Sequence, residues 1–356
     1  MPTSYENRQW IYRRRPDGPI GTEHYELVTT ELGSDLSPGE ALLETHYVSV
    51  DPYMRIQQAA RPTWEPPHPL GSVQAGAVVA RVRAVGSPSS STAESAVREG
   101  DWVLASTGWQ ERARCPVASL TRLDPALAPV TTALGVLGMP GRTAWFGLME
   151  VGRPRPGETL VVSGAAGAVG SLVVQFGRRA GCRVVGIAGG AEKCRFVVEE
   201  LGADAAIDYR SHAGPGAMDR ELGRVAGGVD VYFDNVGGPI TDAVLPRFNL
   251  RARGIICGQV SQYDGGLDAP ALGPRFLQHL LFQRATLQGV LARDFAHRMD
   301  EYLRIATPWV RRGELVFRET IVDGFERLPE TLASMLTGGN LGKMLVRVTP
   351  RGMSGP

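Results

Sequence analysis

Val161-Val162-Ser163-Gly164-Ala165-Ala166-Gly167-Ala168-Val169-Gly170 is the stretch that decides the fold. A short apolar run ends in a tight turn of glycine and alanine, and a helix begins at once. Such a turn suits a phosphate group, because the first N–H groups of a helix are unpaired and carry the positive end of its dipole. Gly167 admits the close approach of a pyrophosphate, and Gly170 lets the helix pack on the sheet. The fingerprint G-x-G-x-x-G is relaxed to A-x-G-x-x-G, with Ala165 in first place. Ala168 and Val169 complete the expected contact. Glycines also serve plain turns, so the surroundings decide.

Those surroundings alternate. Thr159–Ser163 reads as a strand and Ala168–Arg179 as a helix, with Val169, Leu172, Val173 and Phe176 at i, i+3, i+4, i+7 on one face. Arg183–Ala188 is the next strand, and Glu192–Leu201 the next helix, stopped by Gly202. Ala205–Tyr209, Val229–Asn235, Gly254–Gly258 and Thr286–Leu291 supply four more strands with helical spans between them. Six strands linked by helices predict a doubly wound parallel sheet, because parallel neighbours need crossover connections. Before residue 130 the texture differs. Short apolar runs broken by Gly and Pro (Ala41–Thr45, Gly76–Val82, Asp101–Ala105) read as a mostly β unit, and the polar Ser87–Ala93 as a surface loop. After residue 310 come a helix, Leu328–Leu336, and a strand, Lys343–Val348. They are too little for a domain, so they rejoin the first segment. The expected layout is an α/β Rossmann domain, 131–309, inserted in a β-rich domain of 1–130 plus 310–356, with 350–356 a loose tail.

The second strand of the alternating unit bears on the dinucleotide. An NAD site has an acidic side chain at that strand's end to hold the ribose 2′-hydroxyl. Here the strand ends Gly186-Ile187-Ala188-Gly189-Gly190, with no acid. Lys193 follows on the next helix, and Tyr209 and Arg210 follow the third strand. Cations and a hydroxyl with no repelling carboxylate suit a 2′-phosphate, hence NADP. Glu192 runs against this unless the helix turns it outward.

The 356 residues suffice for two domains, and a formal net charge of +1 gives no argument for nucleic acid or an anionic membrane surface. Arg13-Arg14-Arg15, the densest basic run, reads as solvated surface. Met1–Arg8 is polar without the apolar core of a secretory signal, and no apolar run approaches the roughly 20 residues of a membrane span. Cys115, Cys182, Cys194 and Cys257 are far apart, as reduced thiols of a cytoplasmic protein would be. A zinc site needs clustered ligands. The cysteines form no CxxC pair, no Gly-His-Glu element occurs, and the six histidines are scattered, so no metal is expected. Nor does a Gly-x-Ser-x-Gly elbow compete with nicotinamide chemistry.

The chain resembles the zinc-free branch of the medium-chain dehydrogenase/reductase superfamily, that of prostaglandin, alkenal double-bond and curcumin reductases. The likeness rests on Asn7–Trp10, Val48–Arg55, Leu137–Trp145, Ala165–Gly170, Asp234–Gly238, Gly258–Asp264 and Gly339–Lys343, and so spans nearly the whole chain. It implies a GroES-like β-rich domain around the Rossmann insertion, NADPH, a cleft between domains, and a homodimer paired through the cofactor domains. It implies that Lys193 and Tyr209, beside Gly189, hold the 2′-phosphate. It places Asn235, Tyr263 and Asn340 at the cofactor, with Tyr263 beside the nicotinamide ribose, and Met139 and Thr143 along the nicotinamide pocket. The chain departs from the family pattern at Asp264, where Asn is frequent, and at Gly190, where Ser often aids the phosphate. Ser87–Ser95 looks like an insertion.

The reaction implied is hydride transfer to the β-carbon of an α,β-unsaturated ketone or aldehyde. Tyr263 either donates to the carbonyl oxygen as charge builds there or only braces the cofactor. Tyr53 and Arg55 are candidates for the substrate pocket, with packing and domain closure as their other role. Two alternative functions stand beside this one: a zinc-free quinone or carbonyl reductase of the same superfamily, and a non-catalytic NADPH-binding sensor. The double bond is that of a detoxified compound or of a biosynthetic intermediate.

Overall fold

The computed structural model describes residues 4–87, 97–212, 214, 216–264 and 271–348. The Ser87–Ala93 loop beyond Ser87 and the 350–356 tail lie outside them. The chain begins with an antiparallel ribbon of Ser4–Tyr12 (β1) and Tyr25–Gly33 (β2). Only Tyr25 of β2 is buried, so no apolar alternation marks that strand in the sequence. Glu40–Ser49 (β3) is the opposite case. Ala41, Leu42, Leu43 and Val48 are all buried, because β3 is paired on both sides and covered on both faces. A short helix, Tyr53–Gln57 (α1), follows, then Val78–Val85 (β4), Trp102–Ala105 (β5), Arg112–Pro116 (β6) and Thr121–Leu123 (β7).

Next comes the alternating part. Met139–Phe146 (α2) precedes Thr159–Ser163 (β8), Gly170–Arg179 (α3) and Arg183–Ala188 (β9). Ala191–Arg195 (α4) runs into a π turn at Phe196–Glu200 before Ala205–Asp208 (β10). Ala217–Val225 (α5), Val229–Asp234 (β11), Gly238–Val244 (α6) and Phe248–Ile256 (β12) follow. Leu277–Gln283 (α7), Thr286–Gly289 (β13) and Met299–Arg311 (α8) complete it. The six strands stand in the order β10-β9-β8-β11-β12-β13, every neighbour parallel. This is the doubly wound sheet the alternation predicts, and its order reverses between β8 and β11. In open parallel sheets that reversal leaves a crevice beyond the carboxyl ends of the strands.

The chain closes with Glu319–Asp323 (β14), Leu328–Leu336 (α9) and Lys343–Arg347 (β15), and β15 pairs antiparallel with β3. Residues group into two units, Met1–Leu134 with Thr320–Gly339 and Met344–Pro356, and Gly135–Glu319 with Asn340–Lys343. Each has its own core. In the first, Trp10, Tyr12, Leu43, Val78, Trp109 and Phe325 pack together. In the second, Val161, Val185, Ile207, Leu222, Tyr232 and Val244 do so. No helix among the described residues is long and apolar enough to cross a membrane.

Three local readings are refined. α3 starts at Gly170, not Ala168, because Gly164–Val169 is occupied by the turn, with the Gly167 N–H on the Gly164 carbonyl at 2.9 Å. Every residue from Gly170 to Gly177 is buried, not one face alone, and Trp145 and Trp309 pack against Phe176. Of the basic run, Arg13 and Arg14 are exposed, but Arg15 turns inward and donates to the carbonyls of Gln58, Ala59 and His68.

The Asn7–Trp10 motif has a structural reason. Asn7 Oδ1 accepts the Arg112 N–H at 2.8 Å, and Trp10 Nε1 donates to the Phe325 carbonyl at 3.0 Å. Between them Arg8 Nη2 meets Glu111 Oε1 at 2.6 Å, the two side chains only 10% and 4% exposed. Removing one partner of such a pair strands a buried charge, which costs about 3–5 kcal/mol. Glu111→Ala is therefore expected to lower the first urea-unfolding transition by that amount, with Arg8→Met in the same chain restoring part of it. A change under about 1 kcal/mol would show the pair to be solvated.

Candidate functional site

The carboxyl ends of β8, β9, β10, β11 and β12 carry the candidate residues of the second unit. After β8 the backbone turns through Gly164, at φ +59°, and enters α3. A Cβ on Gly170 would stand 2.2 Å from the Gly164 carbonyl oxygen, whereas one on Gly167 would stand 3.3 Å from it. Gly170 is thus obligatory and Gly167 merely favoured. No side chain caps the start of α3; its Ser171 and Leu172 amides donate to the Gly167 and Val169 carbonyls at 3.0 and 3.1 Å. Ala165 replaces the first glycine of the fingerprint, and its methyl has room because the strand beside it carries Gly186. A Cβ on Gly186 would lie 2.9 Å from Ala165 Cβ. The glycine has in effect moved to the neighbouring strand.

A distant segment completes this turn. The Gly342 N–H donates to the Ala166 carbonyl at 2.8 Å, and Gly342 bridges Gly167 in parallel register. Asn340 Nδ2 donates to the Gly342 carbonyl at 2.7 Å, bracing the segment from within. Gly342 itself sits at φ +70°, and a Cβ there would meet the Arg318 carbonyl at 2.0 Å.

Beyond β9, Gly189 lies under the side chains that follow β10. A Cβ on it would come within 2.8 Å of Tyr209 Cε1 and 3.0 Å of both the Tyr209 hydroxyl and Arg210 Nε. Burial lowers the pKa of half-buried Lys193, and the charge of Arg210 lowers it further, against Glu192. Lys193 and Arg210 are therefore close enough to repel. Glu192 is exposed, as the dinucleotide reading requires. An acid that the sequence reading passed over, Asp208, does stand at the end of β10. Its carboxylate accepts the Gly190 and Arg210 N–H groups at 2.8 and 3.0 Å and the Ser211 hydroxyl at 3.0 Å. Desolvation works to raise its pKa, yet these donors and the Arg210 charge hold it below the usual range. It is engaged in shaping the loop.

The third group gathers where the strand order reverses. Asn235 Nδ2 donates to the Ser163 carbonyl at 2.7 Å, and its N–H donates to Ser163 Oγ at 2.9 Å. Ser163 Oγ in turn donates to Asp234 at 2.8 Å. The Tyr263 hydroxyl accepts the Gln259 N–H at 3.0 Å, and a Cβ on Gly258 would stand 3.2 Å from both that hydroxyl and the Asn235 carbonyl. Tyr263 is only 6% exposed. Burial, opposed by the Gln259 bond and aided by Cys257 and Asp234, pushes its pKa up to about 12. The glycine turn, Asn235 and Tyr263 thus form one constellation, with Asn340 behind the turn. Ser163 and Asp234 belong to it although the sequence reading assigned them no role; the signal was an acid and a hydroxyl ending the two strands that flank the reversal.

Four further expected residues make contacts of their own. Thr143 is buried, with its hydroxyl on the Met139 carbonyl of the same helix at 2.7 Å, and Met139 is half-buried. In the first unit, Arg55 is buried and donates to the Gly18 carbonyl at 3.0 Å. Tyr53 is half-buried, and its hydroxyl is held protonated by burial and by Asp51 and Glu65.

Comparison with known proteins follows from this geometry. Residues 8–123 match the family model described as the N-terminal domain of oxidoreductase, and residues 168–307 match that of zinc-binding dehydrogenase. Among the described residues no three His, Cys, Asp or Glu side chains group to hold a metal ion. The chain is 40% identical to the NADPH-dependent curcumin reductase of Escherichia coli, covering 96% of this chain and 97% of that one. It is 33% identical to the NADP(+)-dependent 2-alkenal reductase of Nicotiana tabacum, over 98% and 99%. The crystal structure of CurA from Vibrio vulnificus in complex with NADPH superposes with a TM-score of 0.85 at 37% identity, over 96% and 99% of the two chains. The chain belongs to the zinc-independent branch of the medium-chain dehydrogenase/reductase superfamily, the branch of the curcumin and alkenal reductases.

Proposed function

We propose that the chain is an NADPH-dependent reductase of the activated carbon–carbon double bond in α,β-unsaturated ketones and aldehydes. The observation that carries this reading is the Tyr263 hydroxyl. It is buried at the strand-order reversal, it stays protonated at neutral pH, and it accepts the Gln259 N–H while its own proton has no acceptor among the described residues. Such a phenol is a donor, not a base. The names of the relatives support the same reaction class.

The residues present fit the dinucleotide. The uncapped start of α3, the Gly164 turn and the crowded Gly170 make a surface that only a backbone can line, suited to the pyrophosphate. Ala165, Gly167, Ala168, Val169 and Gly170 would line it, with Asn340 bracing its far side. Gly189, Lys193 and Tyr209, with Arg210 beside them, would hold the 2′-phosphate, since cations and a hydroxyl converge there while Asp208 is occupied by three donors. Asn235, Met139 and Thr143 would border the nicotinamide. When bound, NADPH supplies the hydride for the β-carbon. The protein's part is to orient the enone and to place the Tyr263 proton at its carbonyl oxygen, where negative charge collects. One such donor contributes roughly 3–4 kcal/mol. Tyr53 and Arg55 are assigned to the substrate side of the first unit, Arg55 through its hold on Gly18.

A homodimer and a cytoplasmic setting complete the reading. β13 is the last strand of its sheet among the described residues. Just before it in the chain, Leu277, Leu281 and Phe282 of α7 are 70%, 71% and 68% exposed. An open edge with an apolar flank is a surface that pairing with a second copy would cover. The cysteines Cys115, Cys182, Cys194 and Cys257 are all free thiols, as a reducing compartment maintains them.

The direct test follows NADPH absorbance with a medium-chain 2-alkenal, an aromatic enone and a quinone, with NADH in parallel. Oxidation with the enones and a saturated carbonyl product by mass spectrometry is the expected result; oxidation with the quinone alone would move the chain to quinone reduction. Tyr263→Phe should lower kcat by about 10²- to 10³-fold with the KM for NADPH little changed, and a kcat within a factor of two of the parent would leave the tyrosine a brace only. Lys193→Ala should cut the preference for NADPH over NADH by about tenfold, the size of one charge-assisted hydrogen bond, read as a ratio of kcat/KM; an unmoved ratio would remove Lys193 from the 2′-phosphate site. Light scattering after size exclusion should give a dimer for the parent and a monomer for Leu281→Asp/Phe282→Asp, and a monomeric parent would refute the pairing.

A further inference from the structure

We propose that Asp234 is the positioning residue of this site, its buried carboxylate holding the turns after β8, β11 and β12 in one fixed arrangement; the inference rests on the NADPH reading above. Asp234 is fully buried, and no cation faces it in the hydrogen bonds and ion pairs of the described residues. Its charge is instead balanced by five donors. Oδ1 accepts Ser163 Oγ at 2.8 Å, the Tyr232 hydroxyl at 2.9 Å, and the Val236 and Gly237 N–H groups at 3.0 and 2.9 Å. Oδ2 accepts Thr241 Oγ1 at 2.5 Å. Hydrogen bonds to an ionised acceptor are roughly twice as strong as neutral ones, so five donors on one carboxylate hold the cluster firmly.

What the cluster fixes is the argument for function. Ser163 is the last residue before the phosphate turn, and its hydroxyl also accepts the Asn235 N–H. Val236 and Gly237 form the turn that carries Asn235. The Asp234 carbonyl accepts the Cys257 and Gly258 N–H groups at 2.8 and 3.0 Å, and Gly258 lies against the Tyr263 hydroxyl. One residue therefore ties together the phosphate turn, Asn235 and Tyr263, on both sides of the strand-order reversal. A core that needed only to be filled would place an apolar side chain here, because a buried ion pair or network is often no more stable than well-packed apolar groups. Here the group instead fixes the turns.

Asp234→Asn tests the charge with little change of shape. The amide oxygen can keep the four donors of Oδ1 while the NH₂ faces Thr241, whose hydroxyl can turn to accept. Ser163→Ala tests the link between β8 and the Asn235 turn. Glu158→Gln is the control: it weakens the Glu158–Arg253 pair before β8, at the other end of that strand. For each, the Kd of NADPH is measured by the fluorescence of the bound nicotinamide, alongside Tm. The expected result is a Kd raised about tenfold in D234N and S163A and unchanged in E158Q, although all three lower Tm. Equal Kd values in the parent, D234N and S163A would overturn the proposal, as would a Kd that rises in E158Q in proportion to its loss of Tm. If D234N does not fold, S163A against E158Q decides. A parent chain that binds no NADPH refutes the underlying cofactor reading, an outcome separate from the others.

Discussion

A single carbonyl oxygen, that of Gly164, stands where any side chain on Gly170 would have to go. Because Gly170 has none, α3 seats its first turn directly on the end of β8. From that seat follow the full burial of Gly170–Gly177, the direction of the uncapped helix start, and the room beside β8 that the Asn235 turn uses. The constraint is steric, not energetic in detail. A methyl group at 2.2 Å from an oxygen cannot be tolerated by small adjustments in a close-packed interior. The contacts at Gly141 and Gly342 follow the same logic, each with a backbone carbonyl 2.0 Å from where a Cβ would be.

The polar groups around the turn divide the work. Asp208 and Asp234 are both carboxylates at strand ends, but neither is presented as a free charge: one accepts two backbone amides and a hydroxyl, the other two backbone amides and three hydroxyls. Positive charge is treated the other way. Burial, and then the nearby charge of Arg210, lowers the pKa of Lys193.

The sheet was legible because a parallel strand between helices leaves a short apolar run at regular spacing, and six such runs recur. The glycine turn was legible because the steric demand falls on named positions. The β1–β2 ribbon was not, since β2 buries only Tyr25, nor was the burial of every residue from Gly170 to Gly177, because Trp145 and Trp309 reach Phe176 from distant helices. Asp234 and Ser163 escaped notice for a related reason. A strand-end acid looks like any surface acid until the strand order puts β8 beside β11, and that adjacency joins residues 71 apart. Likewise the departure at Ala165 is explained only by Gly186 on the neighbouring strand.

The segment Asn340–Lys343 has a bearing on how the molecule comes to exist. It packs on a turn made about 170 residues earlier, through the Gly342–Ala166 bond and the Gly342–Gly167 bridge. A nascent chain leaving the ribosome can assemble all six parallel strands and still lack this last brace. The Ala166–Gly167 turn reaches its final form only once residues 340–343 have been made, so its completion waits on a segment far downstream and not on the six strands alone.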